Sequence, residues 1–428
     1  MEAQMAGTIS RRKLLRTGGQ AIIAGSVAVG GTPFLAARSS SKSKLPAEGV
    51  DYYQKLGVTP LINAAGTYTV LTASIMPDEV QAAVALAAKN PVNLNELHDA
   101  AGAYLAKRLR CEAALVTAGA AAALVVGTAA CVTLGNESAI LNIPTDMNGL
   151  KNEVIVQKSH RYGYDHAIRN CGVHFVEVGT LDQYEQAFND RTVMTHFFNA
   201  GEDHISREDW VRVAHKHGVP CFNDAAADVP PISNLWNYTQ MGFDLVTFSG
   251  GKGLRGPQCT GLLLGRKDLI AAARKNNSPN SNTIGRGLKV AKEEIVGLVA
   301  AVDWFLSQDD AVMEAEYRKR AERIAGQLKT IATVQTQIFV PPVAANHVPH
   351  LLITYDQNRI KITGAEVMEK MRHGNPRIEL NPSTGGDPAS AGLPGGPNTI
   401  VVGVWMLQPG EDLIVAKRLR EVLQAAIG

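Results

Sequence analysis

Short apolar runs alternate with segments of helical periodicity between residues 76 and 300, and this alternation restricts the possible folds more than any other feature. Helical patterns begin at Pro77 and at residue 99. The apolar runs that follow, most of them separated by helical segments, are residues 113–116, 154–156, 173–178, 193–197, 219–222, 245–248 and 260–264. Strands and helices in this order form a mainly parallel sheet with helices on both faces, and ligands bind at the carboxyl ends of its strands. The sequence therefore predicts an α/β fold.

The C-terminal part of the chain has a different pattern, which predicts a smaller α+β domain. A helical stretch runs from about residue 290 to 331, and apolar runs follow at residues 351–355, 377–380 and 400–404. The Gly/Pro-rich segment 385–397 indicates a surface loop. The predicted regions are residues 1–44, a signal and linker; 45–75, an N-terminal arm; 76–300, a large domain; and 301–428, the smaller domain, which includes part of the long connecting helix.

Charge, hydropathy and cysteine content exclude several classes of partner. The chain has 42 Lys and Arg against 40 Asp and Glu, so its net charge of +2 predicts no nucleic-acid partner. Every apolar run is shorter than the roughly 20 residues that span a bilayer, which predicts no stable membrane span. The five cysteines contain no C-x-x-C motif, so we predict neither a zinc site nor a disulfide framework, and no bound metal. They are Cys111, Cys131, Cys171, Cys221 and Cys259.

The first 44 residues differ in composition from the rest of the chain and resemble a twin-arginine export signal. The pair Arg11-Arg12 precedes a weakly apolar run at residues 21–29, small residues at Ala36 and Ala37, and a linker rich in Ser and Lys. A basic tail is the alternative interpretation. Because this route carries folded proteins, the signal implies cofactor loading in the cytoplasm, export by the twin-arginine machinery, and a periplasmic or extracellular location.

Chemically useful residues are concentrated at three places where predicted strands end. At residues 117–122 a strand gives way to a helix of small residues, whose free amides form an anion site. Close packing of an alanine-rich helix on the sheet is the alternative there. Asp224 ends a buried strand, where a carboxylate either caps the next element or pairs with a cationic ligand. Lys252 lies among glycines, where desolvation lowers a lysine pKa toward the neutral amine of Schiff-base chemistry; a surface lysine is the alternative.

Taken together, these positions resemble a pyridoxal-phosphate enzyme of fold type I, in which a phosphate cup, an acid and a Ser-x-x-Lys sequence follow one another along the chain. More narrowly, the chain resembles the selenocysteine-synthase-like (SelA-like) family, which contains selenium transferases and ammonia-lyases. The motifs that carry this resemblance are residues 249–252 (Ser-Gly-Gly-Lys), 256–258 (Gly-Pro-Gln), 284–286 (Ile-Gly-Arg) and 289–294 (Lys-Val-Ala-Lys-Glu-Glu). It covers residues 56–423 and is more specific for fold and cofactor than for substrate.

The resemblance implies roles for individual residues toward pyridoxal 5'-phosphate. Lys252 would be the lysine of the internal aldimine, and Asp224 would keep the pyridine nitrogen protonated so that the ring acts as an electron sink. His160 falls where this fold stacks a residue on the cofactor ring, although a histidine outside the cofactor's direct contacts is the alternative. The groups assigned to the phosphate are the backbone amides of Gly119, Ala120 and Ala121 and the hydroxyl of Ser249.

The substrate follows less closely from the resemblance. Arg286 and Arg377 are candidates to bind a substrate carboxylate or another anion, because a guanidinium pairs bidentately with such groups; ordinary surface arginines are the alternative. The chain lacks a long basic N-terminal domain for tRNA, which argues against selenium transfer to tRNA. We therefore expect a small-molecule amine, either an amino acid or an amino-sugar acid.

The resemblance favours α,β-elimination through an aldimine at Lys252 and a carbanion at the substrate α-carbon. An aminotransferase or a racemase on the same cofactor is the alternative, and reaction of the carbanion with oxygen is a further possibility. An exported, non-catalytic binding protein is an alternative from another class. Because enzymes of this fold complete their active sites with residues of a neighbouring subunit, the resemblance also implies a homodimer or a larger homo-oligomer.

Overall fold

The structure, a computed structural model, describes residues 49–341, 347–386 and 393–428. The predicted signal of residues 1–44 lies outside the described residues, and so do residues 387–392 of the predicted surface loop. These two predictions are therefore not addressed by the structure.

The chain divides into two units, Met1–Val58 and Thr59–Gly428. The described part of the first unit contains the short helix α1 (Tyr52–Leu56). This helix begins at Asp51, whose carboxylate accepts a hydrogen bond from the Gln54 amide, and it ends at Gly57 in the left-handed region (φ 69°).

The second unit contains the strands and the remaining helices of the described residues. The strands are β1 (Ile62–Ala64), β2 (Ala113–Thr117), β3 (Glu153–Gln157), β4 (His174–Val178), β5 (Thr192–Phe198), β6 (Cys221–Asp224), β7 (Leu245–Ser249), β8 (Gly261–Gly265), β9 (Gln335–Phe339), β10 (His350–Thr354), β11 (Ile378–Leu380) and β12 (Thr399–Gly403). The helices are α2 (Asp78–Ala87), α3 (Leu94–Arg108), α4 (Ala120–Thr133), α5 (Glu137–Asn142), α6 (His166–Arg169), α7 (Leu181–Gln186), α8 (Arg207–Lys216), α9 (Asn234–Met241), α10 (Lys267–Asn276), α11 (Lys292–Leu306), α12 (Asp310–Leu328), α13 (Gly364–Arg372) and α14 (Glu411–Gln424). Within the described ranges, no helix combines the length and the hydropathy needed to cross a membrane.

The large sheet has seven strands in the order β2-β8-β7-β6-β5-β3-β4. Neighbouring strands from β7 to β4 are parallel, whereas β8 runs antiparallel to both β2 and β7. The connection from β7 to β8 contains no helix and is too short for the crossover that a parallel partner requires, so β8 returns as an antiparallel strand.

Hydrophobic side chains form a separate core on each face of this sheet. Successive residues of β8 point to opposite faces, so Leu262 and Leu264 join one core and Leu263 joins the other. Helices α3, α8, α9 and α11 contribute to the first core, and α4, α6 and α10 contribute to the second. The predicted mainly parallel sheet with helices on both faces is confirmed.

The smaller α+β part is also confirmed. Strands β12, β10 and β9 form an antiparallel sheet in that order, and β1 pairs in parallel with β11. Helices α12, α13 and α14 share one hydrophobic core with these strands. The predicted domain boundaries stay predictions.

Two helices stand where the sequence predicted one long connecting helix. Helix α11 ends at Leu306 and α12 begins at Asp310. Between them, the Asp309 side chain accepts hydrogen bonds from the amides of Ala311 and Val312, which starts a new helix in place of a continuous one.

The strand register brings the ends of several strands to one edge of the large sheet. Thr117 at the end of β2 and Ser249 at the end of β7 both lie opposite Gly261, the first residue of β8. Asp224 at the end of β6 lies opposite Thr247 of β7. The segments that follow these strand ends are therefore neighbours, although they are distant along the chain.

Candidate active site

Lys252 lies on the turn after β7, close to the acids Asp224 and Asp228 of the segment after β6. Both carboxylates are buried, with 4% and 3% of each residue exposed. Burial lowers the pKa of Lys252 below its ordinary value, and the negative charges of Asp224 and Asp228 oppose this shift. The Lys252 ammonium forms no hydrogen bond or ion pair with another described residue. Lys252 is therefore a half-buried lysine whose amine has no hydrogen-bond or ion-pair partner among the described residues.

The glycines around Lys252 hold the turn in close contact with the rest of the sheet edge. A Cβ on Gly250 would lie 2.1 Å from Oγ1 of Thr260, and one on Gly253 would lie 2.0 Å from the carbonyl oxygen of Val229. Real Cβ atoms do not approach other atoms so closely, so neither position accepts a side chain without a shift of the turn. The close approach of Gly253 to Val229 fixes Lys252 against the segment that carries Asp224 and Asp228.

Asp224 is held by two hydrogen bonds. The Tyr162 hydroxyl donates to Oδ2, and the Ala226 amide donates to Oδ1 at 3.0 Å. Burial raises the pKa of Asp224, whereas the two hydrogen bonds and the nearby charge of Lys252 lower it. A cation placed against this carboxylate would favour its ionised form further, which suits a partner for a protonated ring nitrogen.

Tyr162 belongs to an aromatic stack beside Asp224. Its ring stacks on Phe198 with centroids 3.8 Å apart, and it lies nearly parallel to the His196 ring at 5.9 Å. The His196 Nε2 is 3.3 Å from the Tyr162 hydroxyl, and burial lowers the pKa of His196 to about 3. A neutral His196 therefore flanks the hydroxyl that donates to Asp224. Sequence analysis missed Tyr162, although it lies two residues after His160 on the segment that follows β3.

Asp228 is the second functional residue that sequence analysis missed. Its carboxylate accepts a hydrogen bond from Nδ2 of Asn199 at 2.5 Å and one from the Tyr238 hydroxyl at 3.0 Å. Nδ2 of Asn234 donates to its backbone carbonyl at 2.8 Å. The available signal was a second acid four residues after Asp224, on the same segment.

The predicted anion site falls at the start of α4, which is an uncapped helix end. Gly119 precedes the helix with φ 91°, and no side chain caps the helix. The amide of Ala123 donates to the Gly119 carbonyl at 3.1 Å, which leaves the amides of Ala120 and Ala121 to point out of the helix start. A Cβ on Gly261 would lie 2.3 Å from the Gly119 carbonyl carbon, so a glycine on β8 is required for this loop to lie where it does.

These residues fit pyridoxal 5'-phosphate, the cofactor that the resemblance implies. The uncapped start of α4 and the hydroxyl of Ser249, which makes no hydrogen bond to another described residue, are donors for its phosphate. Asp224 is a buried acceptor for its ring nitrogen, and the half-buried Lys252 offers an amine for its aldehyde. All of these groups follow strands whose ends meet at one edge of the sheet.

His160 is held by partners other than Asp224. It is fully buried, its Nε2 lies 3.2 Å from Asp203, and its Nδ1 accepts a hydrogen bond from the Phe198 amide at 3.3 Å. The edge of its ring contacts Phe197 at 4.5 Å. The residue of this segment that contacts Asp224 is Tyr162.

The two candidate arginines differ in their surroundings. Arg286 is exposed and makes no side-chain hydrogen bond or ion pair to another described residue. Arg377, immediately before β11, pairs with Glu379 at 2.7 Å, and Glu379 also pairs with Arg372 at 3.0 Å. Arg286 is therefore available to an anion as it stands, whereas Arg377 would first have to leave Glu379.

Comparison with known proteins places this site in a family. The family model described as L-seryl-tRNA selenium transferase (SelA) matches residues 61–347. The 5'-C-glycyluridine monooxygenase-decarboxylase of a Streptomyces species is 30% identical over 343 residues, which are 77% of this chain and 83% of that protein. D-glucosaminate-6-phosphate ammonia lyase of Salmonella typhimurium is 27% identical over 392 residues, which are 87% of this chain and 98% of the lyase.

A solved structure of D-glucosaminate-6-phosphate ammonia-lyase shares the fold over most of both chains. Its TM-score is 0.74 at 27% sequence identity, and the match covers 88% of this chain and 99% of that one. The similarity therefore includes both the large sheet and the smaller C-terminal part.

Proposed function

The chain belongs to the SelA family of pyridoxal-phosphate enzymes, and we propose that it is a lyase that eliminates a β-substituent from an amino acid or an amino-sugar acid. The observation that carries this proposal is the half-buried amine of Lys252 near the buried carboxylates of Asp224 and Asp228, at the edge of the sheet where the uncapped start of α4 lies. The ammonia lyase whose sequence matches 87% of this chain supports elimination as the reaction.

Lys252 carries out the proton transfers in this proposal. The bound cofactor supplies the electron sink for the bond that breaks at the substrate α-carbon. Nζ of Lys252 accepts the α-proton, and burial favours the neutral amine that this step requires because it lowers the pKa of Lys252. Asp228, which Asn199 and Tyr238 hold in place, then stabilises the resulting ammonium. That ammonium donates its proton to the β-hydroxyl or β-amine as this group leaves.

The remaining site residues bind and orient. Asp224, fixed by Tyr162 and by the Ala226 amide, accepts a hydrogen bond from the protonated ring nitrogen. Arg286 binds a carboxylate or phosphate of the substrate, and Arg377 does so after release from Glu379. His160 supports the stack beside the cofactor ring. The phosphate-binding groups are the amides of Ala120 and Ala121 and the Ser249 hydroxyl, whereas the Gly119 amide, also predicted for this role, already donates to the Thr117 carbonyl at 2.9 Å.

Oxygen-dependent decarboxylation is a second candidate, which the comparison with the Streptomyces monooxygenase-decarboxylase favours. It begins with the same amine and the same carboxylates, but it removes carbon dioxide and consumes oxygen. Oxygen uptake with release of carbon dioxide, without ammonia and a keto acid as the products of elimination, would identify this reaction.

The experiment that tests the proposal incubates the purified enzyme with a panel of amino acids and amino-sugar acids that carry a β-hydroxyl or β-amine. Ammonia, keto acid, oxygen uptake and the enantiomer of the remaining substrate are measured together. Elimination of a β-hydroxyl gives one ammonia per keto acid and elimination of a β-amine gives two, in both cases without oxygen uptake. Exchange of the amino group onto an added keto acid, or racemisation alone, would contradict the proposal.

We also propose that residues 1–44 direct export by the twin-arginine route, so that the enzyme acts in the periplasm or outside the cell. The support is the order of the Arg11-Arg12 pair, the weakly apolar run and the small residues. Replacement of both arginines by lysine should leave an active, cofactor-loaded precursor in the cytoplasm. Normal export of this double variant, measured by cell fractionation, would contradict the proposal.

We propose, finally, that the enzyme is a homodimer or a larger homo-oligomer. The support is the resemblance to enzymes of this fold, whose active sites take residues from a neighbouring subunit. Sedimentation of the active enzyme tests the proposal, and an active monomer would contradict it.

A further inference from the structure

Three side chains with metal-binding atoms meet at the opposite end of the large sheet from Lys252. They are His215 in the last turn of α8, Cys221 at the start of β6, and Asp244 immediately before β7. Strands β6 and β7 are neighbours, and β6 carries Asp224 at its other end. A strand rises about 3.3 Å per residue, so Cys221 lies roughly 10 Å from the site acid along β6. The cluster is therefore separate from the candidate active site.

The distances between the three ligand atoms match those of a tetrahedral metal site. Nε2 of His215 is 3.0 Å from Oδ2 of Asp244, Sγ of Cys221 is 3.3 Å from the same oxygen, and Nε2 and Sγ are 3.9 Å apart. Zinc bonds of about 2.0–2.3 Å at tetrahedral angles place sulfur, nitrogen and oxygen ligands about 3.3–3.6 Å from one another. The three atoms thus surround one position at a suitable distance from each of them.

Neighbouring groups orient the carboxylate for this role. Nη1 of Arg266 lies 3.1 Å from Oδ1 of Asp244, and the Cys221 backbone amide donates to Oδ2 at 2.8 Å, so that Oδ2 lies beside the His215 and Cys221 side chains. A hydrogen bond to the free oxygen of a ligating carboxylate is a common device that fixes its orientation. Asp244 and Cys221 are buried, so these two ligands are already in place before an ion arrives.

The cluster is also open to solvent on one side. A cavity of about 510 Å³ is lined by His215 and Asp244, together with Arg110, Cys111, Glu112 and Arg266. The His215 side chain is 45% exposed. An ion held by three protein ligands would therefore have its fourth position directed toward this cavity, where water completes the coordination.

We propose that His215, Cys221 and Asp244 bind a divalent transition metal ion of the zinc class. Binding displaces the thiol proton of Cys221 to solvent, so that the ion is held by a thiolate, an imidazole nitrogen and a carboxylate oxygen. The sequence predicted no zinc site because the ligands come from three segments, 6 and 23 residues apart, and form no short motif. The site links α8, β6 and β7, and the proposal does not depend on the proposed lyase reaction.

The test uses the untagged, cofactor-loaded full chain after treatment with a chelator. Titration with Co²⁺ is followed by difference absorption, and titration with Zn²⁺ is followed by calorimetry. We expect one ion per chain, with a thiolate-to-cobalt charge-transfer band that Zn²⁺ displaces. Cys221→Ser should abolish the band, and His215→Gln should weaken binding by at least about tenfold. Because His215 is half exposed, its replacement leaves the hydrophobic core intact.

Matched controls come from residues outside the cluster. Cys259→Ser removes an exposed thiol, and His217→Gln removes a neighbouring imidazole that stacks on Phe188. Both control variants should bind Co²⁺ as the parent does, and all four variants should keep the cofactor absorbance. Absence of a thiolate band in the parent, survival of the band in Cys221→Ser, or an unchanged affinity of His215→Gln for Co²⁺ would overturn the proposal.

Discussion

The chemistry of Lys252 depends on two carboxylates that stand on one segment. Asp224 and Asp228 oppose the effect of burial on the Lys252 amine, so its pKa falls less than burial alone would dictate. Each acid has its own hydrogen-bond partners, the Tyr162 hydroxyl for Asp224 and the amide of Asn199 for Asp228. The two acids are thus held by hydrogen bonds, whereas the Lys252 amine has no such partner among the described residues.

Replacement of Asp224 by asparagine should separate the role of its charge from that of its shape. Asp224→Asn keeps the size of the side chain, but it removes the negative charge opposite the ring nitrogen. We expect a folded, cofactor-binding protein whose turnover falls by about 100-fold, which corresponds to ~2.7 kcal/mol of transition-state stabilisation. Steady-state kinetics and circular dichroism measure the two effects. Asp190→Asn, on the surface, is the control, and undiminished turnover in Asp224→Asn would remove Asp224 from the mechanism.

Individual residues of the site differed in how far the sequence could predict them. Lys252 and Asp224 were identifiable because each follows an apolar run in a local pattern that few other functions require. Tyr162 and Asp228 were not, because their importance comes from contacts across the sheet, to Asp224 in one case and to Asn199 in the other. Such contacts depend on strand order, which no local pattern contains.

The turn between β7 and β8 determines where Lys252 lies. Its glycines pack against Thr260 and Val229, and the Ser74 hydroxyl donates to the Gly251 carbonyl at 2.7 Å. The absence of a helix in this connection also sets the direction of β8. The antiparallel direction of β8 was predictable from the sequence, because a strand parallel to β7 would need a longer crossover connection.

A methyl group on the turn should displace Lys252. Gly253→Ala would place Cβ 2.0 Å from the Val229 carbonyl oxygen, so the turn must shift at a cost of about 1–3 kcal/mol. We expect weaker cofactor binding and a lower melting temperature, measured by absorbance titration and thermal unfolding. Gly287→Ala is the matched control, because a Cβ there would meet no atom within 4 Å. Equal behaviour of the two variants would show that the turn is not held by this contact.

Other elements were predictable in kind but not in detail. Strand β7 contains the apolar run 245–248 and extends one residue beyond it, to Ser249. Strand β6 begins two residues later than the run 219–222 and ends at Asp224. Strand β9 was not predicted, since its sequence, Gln-Thr-Gln-Ile-Phe, is mostly polar and its side chains are partly exposed at the edge of the smaller sheet. An edge strand has only one covered side, so it does not need a continuous apolar run.

Across the molecule, buried histidines make the folded state sensitive to acid. Burial lowers the pKa of His350 to about 4, and the pKa values of His98 and His196 fall to about 4 and about 3. Above pH 6.5 these histidines are neutral in both the folded and the unfolded chain. Below this value the unfolded chain takes up protons that the folded chain does not, so stability decreases as the pH falls.

His350→Gln should reduce this acid sensitivity. One such histidine lowers the free energy of unfolding by about 3 kcal/mol between pH 6.5 and pH 4, and its replacement removes this decrease. We therefore expect the free energy of unfolding, measured in denaturant at several pH values, to fall less steeply in the variant, whatever its stability at pH 7. His174→Gln, an exposed position on β4, should leave the slope unchanged. If the free energy of unfolding fell as steeply with decreasing pH in His350→Gln as in the parent, the buried, neutral state of His350 would be contradicted.

The large sheet presents different groups at its two ends. The carboxyl ends of β2, β6 and β7 lead to the anion site, to Asp224 and to Lys252, and the amino ends of β6 and β7 lead to the cluster of Cys221 and Asp244. The central claim concerns the first of these ends, namely that Lys252 is the amine that binds the cofactor.

Borohydride reduction of the purified enzyme, followed by peptide mass spectrometry, tests this claim most directly. The reduction makes the bond between the cofactor and its lysine permanent, so the modified peptide identifies the residue. We predict one phosphopyridoxyl group on Lys252, and no such modification and no cofactor absorbance in Lys252→Ala. Lys267→Ala, a change in the first turn of α10, should be modified as the parent is. A phosphopyridoxyl group on a different lysine of the parent enzyme, or anywhere in the Lys252→Ala variant, would contradict the assignment of Lys252.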